Sequence, residues 1–197
     1  MQLGLEIIKT GFVLTAVYFL ISFAVTFQYG VGGFPNLALG YVGALGAYVV
    51  SVLWNPVGPV LAILIGAVAS IGFNLFLQKY IINKLARGRT EEDIRNNILY
   101  GTFALLVVIP PILNWLFPTS AITINISTGD RLFDMVTTFE LGLIILAVAV
   151  FVAFYFIIKK THFGHVIQAV TENSKLSAIM GINIRKVYLI VAAISGF

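Results

Sequence analysis

The sequence predicts an all-α integral membrane protein: a polytopic bundle of transmembrane helices with about five complete spans and the start of a sixth. Three observations lead there. Of the 197 residues, 59% are hydrophobic and only 10% are charged, whereas a soluble domain is nearer half apolar and about a quarter charged. The apolar residues come in runs of about 20, the length that crosses roughly 30 Å of hydrocarbon. The cations gather between those runs rather than within them. The runs do not alternate as barrel strands do, and backbone exposed to lipid has to satisfy its own hydrogen bonds, so helices are the expected elements.

The first run, about 8–28, lacks a small-residue cleavage site and is read as a span that stays. The second, about 36–54, contains "PNLALGYVGALGAYVV", in which Gly40 to Ala44 and Gly43 to Ala47 are small-xxx-small pairs. The third, about 59–78, repeats the device with Gly66, Ala69, Ser70 and Gly72. Water supplies no push between helices in lipid, so small residues that allow close backbone approach carry much of the packing. A sharper reading stays open beside this one. The glycine-rich "YGVGGFPN" would be a broken helix lining a substrate path, with Asn36, Gly40, Gly43 and Gly46 along it, since irregular backbone is tolerated at membrane depth only beside protein or a cavity. Between the third and fourth runs, Glu91, Glu92 and Asp93 follow Thr90, which marks a helix start with Thr90 as its cap. The fourth run, about 97–116, carries Pro110-Pro111, where a kink or an early end is expected. Asn74 and Asn114 stand near run ends and are expected at the interface. The fifth run is about 139–158. A sixth begins near Val187 and reaches Phe197, about 16 Å of helix at 1.5 Å per residue, so a longer natural protein is expected.

Orientation follows from charge. Ten of the twelve cations lie in two segments. Lys79, Lys84, Arg87, Arg89 and Arg95 form the first; Lys159, Lys160, Lys175, Arg185 and Lys186 form the second. The segment 117–138 has only Arg131, beside Asp130 and Asp134. Both basic segments are therefore expected in the cytoplasm and the Asp130 segment outside, which puts the N-terminus outside. If 30–53 is re-entrant, the N-terminus moves inside.

Much chemistry is excluded. No phosphate-binding G-x-x-x-x-G-K-[ST] occurs, so any ATP is hydrolysed on another chain. Cysteine is absent, and His162 with His165 falls short of the usual four metal ligands; no metal site and no catalytic residue is expected. Glu6, Lys9 and Glu140 sit at run edges, and no ionisable group stands in mid-membrane, where a charge costs about 2.5–3.5 kcal/mol. Asn125-Ile126-Ser127 is a formal glycosylation sequon with little weight by itself.

The segment "THFGHVIQAVTENSKLSAIMGINIRKVY" is polar and ordered. Phe163, Val166, Ile167 and Val170 fall on one helical face, with His165, Gln168, Thr171 and Glu172 opposite. Asn173 or Ser174 offers a cap to a second helix bearing Leu176, Ile179 and Met180. Gly181 is placed to end it in the left-handed conformation, and Asn183 to cap the next helix. Composition leaves two readings even: an interfacial helix lying on lipid, or a knob that docks a cytoplasmic partner.

"THFGHVIQAVTENSKLSAIMGINIRKVYLIVAAISG" resembles the cytoplasmic loop of the membrane-spanning subunits of ABC importers, specifically the branched-chain amino acid permease family. The matching positions are Thr161, Gly164, Ala169, Asn173, Ala178, Gly181, Ile182, Asn183 and Gly196. A second block is similar at Asn36, Ala38, Gly40, Gly46, Ala47 and Tyr48. The basic Arg or Ala-Arg common in the family near Val166 to Gln168 is missing here. The resemblance implies one transmembrane permease domain over 1–197, its C-terminal part absent, with a coupling loop at about 159–186. In that loop Gly164, Ala169, Glu172, Asn173, Ala178, Gly181 and Ile182 are the expected contact or shape positions for an ATPase subunit. It implies a non-catalytic subunit that binds no cofactor, with ATP-Mg on partner chains. The partners implied are cytoplasmic ATP-binding subunits, a second permease subunit, identical or homologous, and an extracytoplasmic substrate-binding protein. The lipid bilayer surrounds it, nucleic acid is not involved, and the location is the plasma membrane of a prokaryote. Branched-chain amino acids or related small polar solutes are the expected cargo; Thr171-Glu172-Asn173 favours amino acids or amides over pentose-type sugars, whose permeases are the nearest alternative. An ATP-independent carrier or channel is the other. A membrane-embedded enzyme would need clustered catalytic groups at one membrane face, and none is found.

Overall fold

The computed structural model describes residues 2–34, 36–86, 90–117, 131–132 and 136–196. Nine α-helices run through them: α1 (Gln2–Gly32), α2 (Leu39–Val57), α3 (Pro59–Phe76), α4 (Asn83–Leu85), α5 (Glu91–Leu116), α6 (Thr138–Lys160), α7 (His162–Glu172), α8 (Ser174–Ile179) and α9 (Ile184–Ser195). A π-helical segment, Leu77–Ile82, joins α3 to α4. The only strands among the described residues are β1 (Arg131–Leu132) and β2 (Val136–Thr137), an antiparallel pair. Five helices are long and apolar enough to cross a membrane: Thr10–Gly32, Leu39–Val57, Pro59–Leu85, Glu92–Leu116 and Leu141–Lys160. Their apolar side chains are widely exposed, Trp115, Val60, Val68 and Phe12 among them, as lipid-facing helices require.

The chain divides into two compact units. The first takes its described residues from Met1–Phe23 and Asn125–Gln168. There, α1 and α6 pack through aromatic edges: Phe19 meets Phe151 at 5.8 Å and Phe23 meets Phe154 at 4.8 Å, both T-shaped, the geometry that ring quadrupoles favour.

The second unit takes its described residues from Ala24–Ile124 and Ala169–Phe197. Its centre is an antiparallel hairpin of α2 and α3 turned by Gly58 alone, at φ +84, with Pro59 opening α3. Proline at the first helical position gives up a donor that has no partner there anyway. The small residues explain the tight packing. A Cβ on Gly46 would strike Ser70 Oγ and stand 3.2 Å from the Gly66 carbonyl oxygen; one on Gly66 would strike a Val50 methyl and stand 2.9 Å from the Gly46 carbonyl oxygen. Two of these contacts, Gly46 with Ser70 and Val50 with Gly66, pair residues at equal sequence distance on either side of Gly58. Gly40, Gly43 and Gly72 have nothing within 4 Å of such a Cβ, so small-residue spacing marks a contact at Gly46 and Gly66 and not at the others.

Two apolar clusters complete this unit. Ala38, Leu39, Val42, Leu77, Ile109 and Leu113 join the start of α2, the π segment and α5. Phe34, Ile82 and Ile98 form the second, and the Phe34 ring meets Tyr188 of α9 edge-on at 6.2 Å. The end of α1, the π segment, the start of α5 and the start of α9 thus share one level.

Several expectations shift. The stretch 30–53 is not re-entrant in form: α1 ends within it at Gly32, and from Leu39 it runs into α2, a continuous helix of 19 residues, about 28 Å long. The helix that carries the fourth run starts at Glu91 with Thr90 as its cap, as expected, and a capping box holds it. Asp93 N–H donates to Thr90 Oγ1 and Thr90 N–H to Asp93 Oδ2, each at 3.1 Å. That helix continues through Pro110-Pro111 to Leu116, so the prolines do not end it early. Asn74 is not interfacial: it is 0% exposed. Arg87, Arg89, the sequon at Asn125, Asp130, Asp134 and Phe197 lie outside the described residues, as do the side chains of Glu6, Lys9, Arg131 and Glu140.

Candidate functional site

The polar segment after α6 is built from four local devices. At its start, Thr161 Oγ1 donates to the Ile157 carbonyl at 2.6 Å and accepts from Gly164 N–H at 3.1 Å. One hydroxyl thereby closes α6 and opens α7. The two helices approach so closely that a Cβ on Gly164 would strike the Ile158 carbonyl oxygen and lie 2.6 Å from that of Ile157. Gln168 Nε2 donates to the Ile158 carbonyl at 3.3 Å. All of this belongs to the first unit.

The remaining devices belong to the second unit. Asn173 Oδ1 accepts from Leu176 N–H at 2.9 Å and so caps α8. Gly181, at φ +88, ends α8 in a Schellman motif: Gly181 N–H donates to the Ala178 carbonyl at 3.1 Å and Ile182 N–H to the Ser177 carbonyl at 3.0 Å. Asn183 Oδ1 then accepts from Lys186 N–H at 3.1 Å and caps α9. Each terminus falls where a short polar side chain or a glycine was expected to put it.

The faces also fall as the spacing requires. Along α7, Gly164, Ile167 and Val170 are buried, whereas His162, His165, Gln168, Thr171 and Glu172 are exposed. α8 does the opposite with its apolar side chains. Ser177 is buried beneath it, and Leu176, Ile179 and Met180 stand out, Ile179 at 83% exposure. The helix is therefore a short knob with an apolar crown. Of the positions singled out, Glu172, Asn173, Ala178 and Gly181 are exposed, as the crown is; Ala169 and Ile182 are half-buried. Gly164 is buried in the other unit and acts on the turn that launches α7.

The four residues of the possible substrate path do not converge. Gly46 is engaged with α3, whereas Gly40 and Gly43 are exposed with open space beside them. Asn36 is buried, and its Oδ1 accepts from Ala38 N–H at 3.1 Å to shape the turn into α2.

Sequence reasoning missed a polar cluster in the second unit. Gln28, Asn74, Gln78 and Ser195 are all buried, and hydrogen bonds connect Asn74, Ser195 and Gln28. A signal existed, since Asn74 and Gln78 stand four apart within one apolar run, but that spacing does not say which way they point. Among the described residues no group of acidic, histidine or cysteine side chains could hold a metal ion.

Residues 7–197 match the family model described as branched-chain amino acid transport system / permease component. Neither the curated proteins nor the solved structures include a match to the chain.

Proposed function

Because this chain belongs to the family of permease components of branched-chain amino acid transport systems, we propose that it is the membrane-spanning subunit of an ABC importer for branched-chain amino acids or closely related small polar solutes. As a transport permease it performs no chemistry on its cargo. ATP-Mg is used on separate cytoplasmic subunits, an extracytoplasmic binding protein delivers the cargo, and two permease chains enclose the path. The chain is one permease domain of a prokaryotic plasma membrane.

The observation that carries the reading is α8. A capped helix of six residues with Leu176, Ile179 and Met180 turned outward has no use for that crown in water. A groove on an ATPase subunit gives it one, with Glu172, Asn173, Ala178, Gly181 and Ile182 as the polar and shape-setting surround. Two caps and a Schellman turn make the knob stiff, as a part that transmits displacement must be. Any such drive requires the ATP-bound partner to favour one arrangement of the knob over another.

The shared level of Phe34, Ile82, Ile98 and Tyr188 supports the charge-based orientation. It puts the basic segment beginning at Lys79 and that ending at Lys186 at one end of the second unit, in keeping with both being cytoplasmic. The end of α1 lies there too, so three crossings lead back to an external N-terminus.

The test is uptake of labelled leucine or valine by the complete protein reconstituted with its ATPase and binding-protein partners. ATP-dependent uptake of these amino acids is expected. Uptake by the permease alone in an ion gradient would replace the reading with an ATP-independent carrier, and pentose uptake would move the cargo class.

A further inference from the structure

The cluster around Ser195 has polar capacity that the protein itself does not use. Asn74 Nδ2 donates to the Ala192 carbonyl at 2.7 Å and to Ser195 Oγ at 3.1 Å. A carbonyl cannot donate, so this fixes which way the Asn74 amide faces. Ser195 Oγ has one proton, which reaches Gln28 Oε1 at 3.2 Å or the Ala192 carbonyl at 3.3 Å. What remains is Gln28 Nε2, a buried donor, and Asn74 Oδ1, a buried acceptor, neither with a protein partner. Leaving such a group unpaired costs about 1–3 kcal/mol.

Gln28 also lines a cavity of about 10 Å³ together with Gly32, Phe34, Gln78, Tyr188 and Val191. That is close to the smallest space that takes one water. Gln78 enters this cavity from the π segment, with its own Nε2 committed to Asn83 Oδ1 at 3.4 Å. The π segment buries the consecutive pair Leu77 and Gln78, and π segments within α-helices are frequent at functional sites. The α9 backbone presses onto α3 at the same place, where a Cβ on Gly196 would stand 2.9 Å from Asn74 Cβ and 3.2 Å from Ile71 Cα.

We propose that Gln28 and Gln78 hold one water molecule in the cavity they line, and that this water, together with the hydrogen bonds joining Gln28, Ser195 and Asn74, is the polar latch by which α9 grips α1 and α3. The water accepts from Gln28 Nε2 and donates to Gln78 Oε1, so the side-chain amide from the π segment joins the Ser195-centred network. Uncharged amides achieve this without the cost of placing a charge at membrane depth. The latch does not depend on which engine drives transport or on what is carried.

The experiment uses the complete protein in lipid nanodiscs, with two readouts. An experimental map fine enough to show waters is expected to contain one bonded to Gln28; an empty cavity overturns the hydration site. Hydrogen–deuterium exchange is read over α9 in Ser195→Ala, Gln28→Leu and the double variant. Each single change is expected to speed exchange there about fivefold, the size of one lost hydrogen bond. The double variant is expected to match the more severe single one, because both changes break one network. Exchange as in the unaltered protein, or effects that multiply as for independent sites, overturns the latch. Ser195→Ala removes only an oxygen, so it keeps the test valid if Gln28→Leu inserts poorly.

Discussion

Gly181 is the single residue on which the shape of the knob turns. Its φ of +88 is where a side chain meets the following carbonyl, at roughly 1–2 kcal/mol for an ordinary residue and more for a β-branched one. Gly181→Val is therefore expected to leave membrane insertion intact while uptake per ATP hydrolysed falls at least severalfold in proteoliposomes; unchanged uptake per ATP would remove Gly181 from the coupling account. Residues of this kind were legible because their role is local. Thr90, Asn173, Gly181 and Asn183 act on the backbone within a few positions, and the pattern of a short polar side chain or glycine beside an apolar stripe contains most of the information. Asn74 and Gln28 were not legible. Their partners Ala192 and Ser195 are more than a hundred positions away in sequence, and a lone amide near a run end looks the same whether it faces headgroups or another helix.

At the scale of elements, the α2–α3 hairpin and the α8 knob make separate demands. The hairpin needs flat surfaces at Gly46 and Gly66, so Gly66→Leu is expected to cost about 1–3 kcal/mol through overpacking. It should appear as a lower midpoint of thermal unfolding in detergent, whereas Gly43→Leu, facing open space, should leave the midpoint almost unmoved. As a docking element, the role proposed for it, the knob needs its apolar crown. Ile179→Asp is expected to abolish co-purification of the ATPase partner while the permease still inserts, and retention of that partner would count against docking at α8. Element number and kind could be read from run length and hydropathy. Run edges did not give the ends: α5 starts ahead of its apolar run, where Thr90 caps it, and nothing in "LQKYII" distinguishes a π turn from an α turn. The choice of which small residues make contact also escaped the sequence, since four-residue spacing fits Gly40 and Ala44 as well as it fits the faces that pack.

For the whole molecule, the distribution of charge and the level of the Phe34 cluster support the proposed topology. The chain has no cysteine, so a single introduced thiol reports on its own position. A cysteine at Val57, beside the α2–α3 turn, is expected to react with a membrane-impermeant maleimide added outside intact cells. Cysteines at Glu92 and Lys175 should react only after permeabilisation. The reverse pattern would invert the orientation and place the knob on the wrong side for any cytoplasmic engine. The bundle as a class was legible because lipid leaves few solutions for a chain this apolar. The role proposed for the knob comes from the resemblance alone, since an amphipathic helix on lipid and one on a partner have the same periodicity.

The central claim is that a stiff cytoplasmic segment passes the work of a separate ATPase to the spans, and the most direct measurement replaces that segment. In the complete protein, reconstituted with its ATPase and binding-protein partners, residues 173–183 are exchanged for a Gly-Ser tether of equal length, and ATP-driven uptake of labelled leucine is followed beside ATP hydrolysis. The account predicts that hydrolysis persists and uptake disappears. Uptake at the unaltered rate through a floppy tether would contradict it.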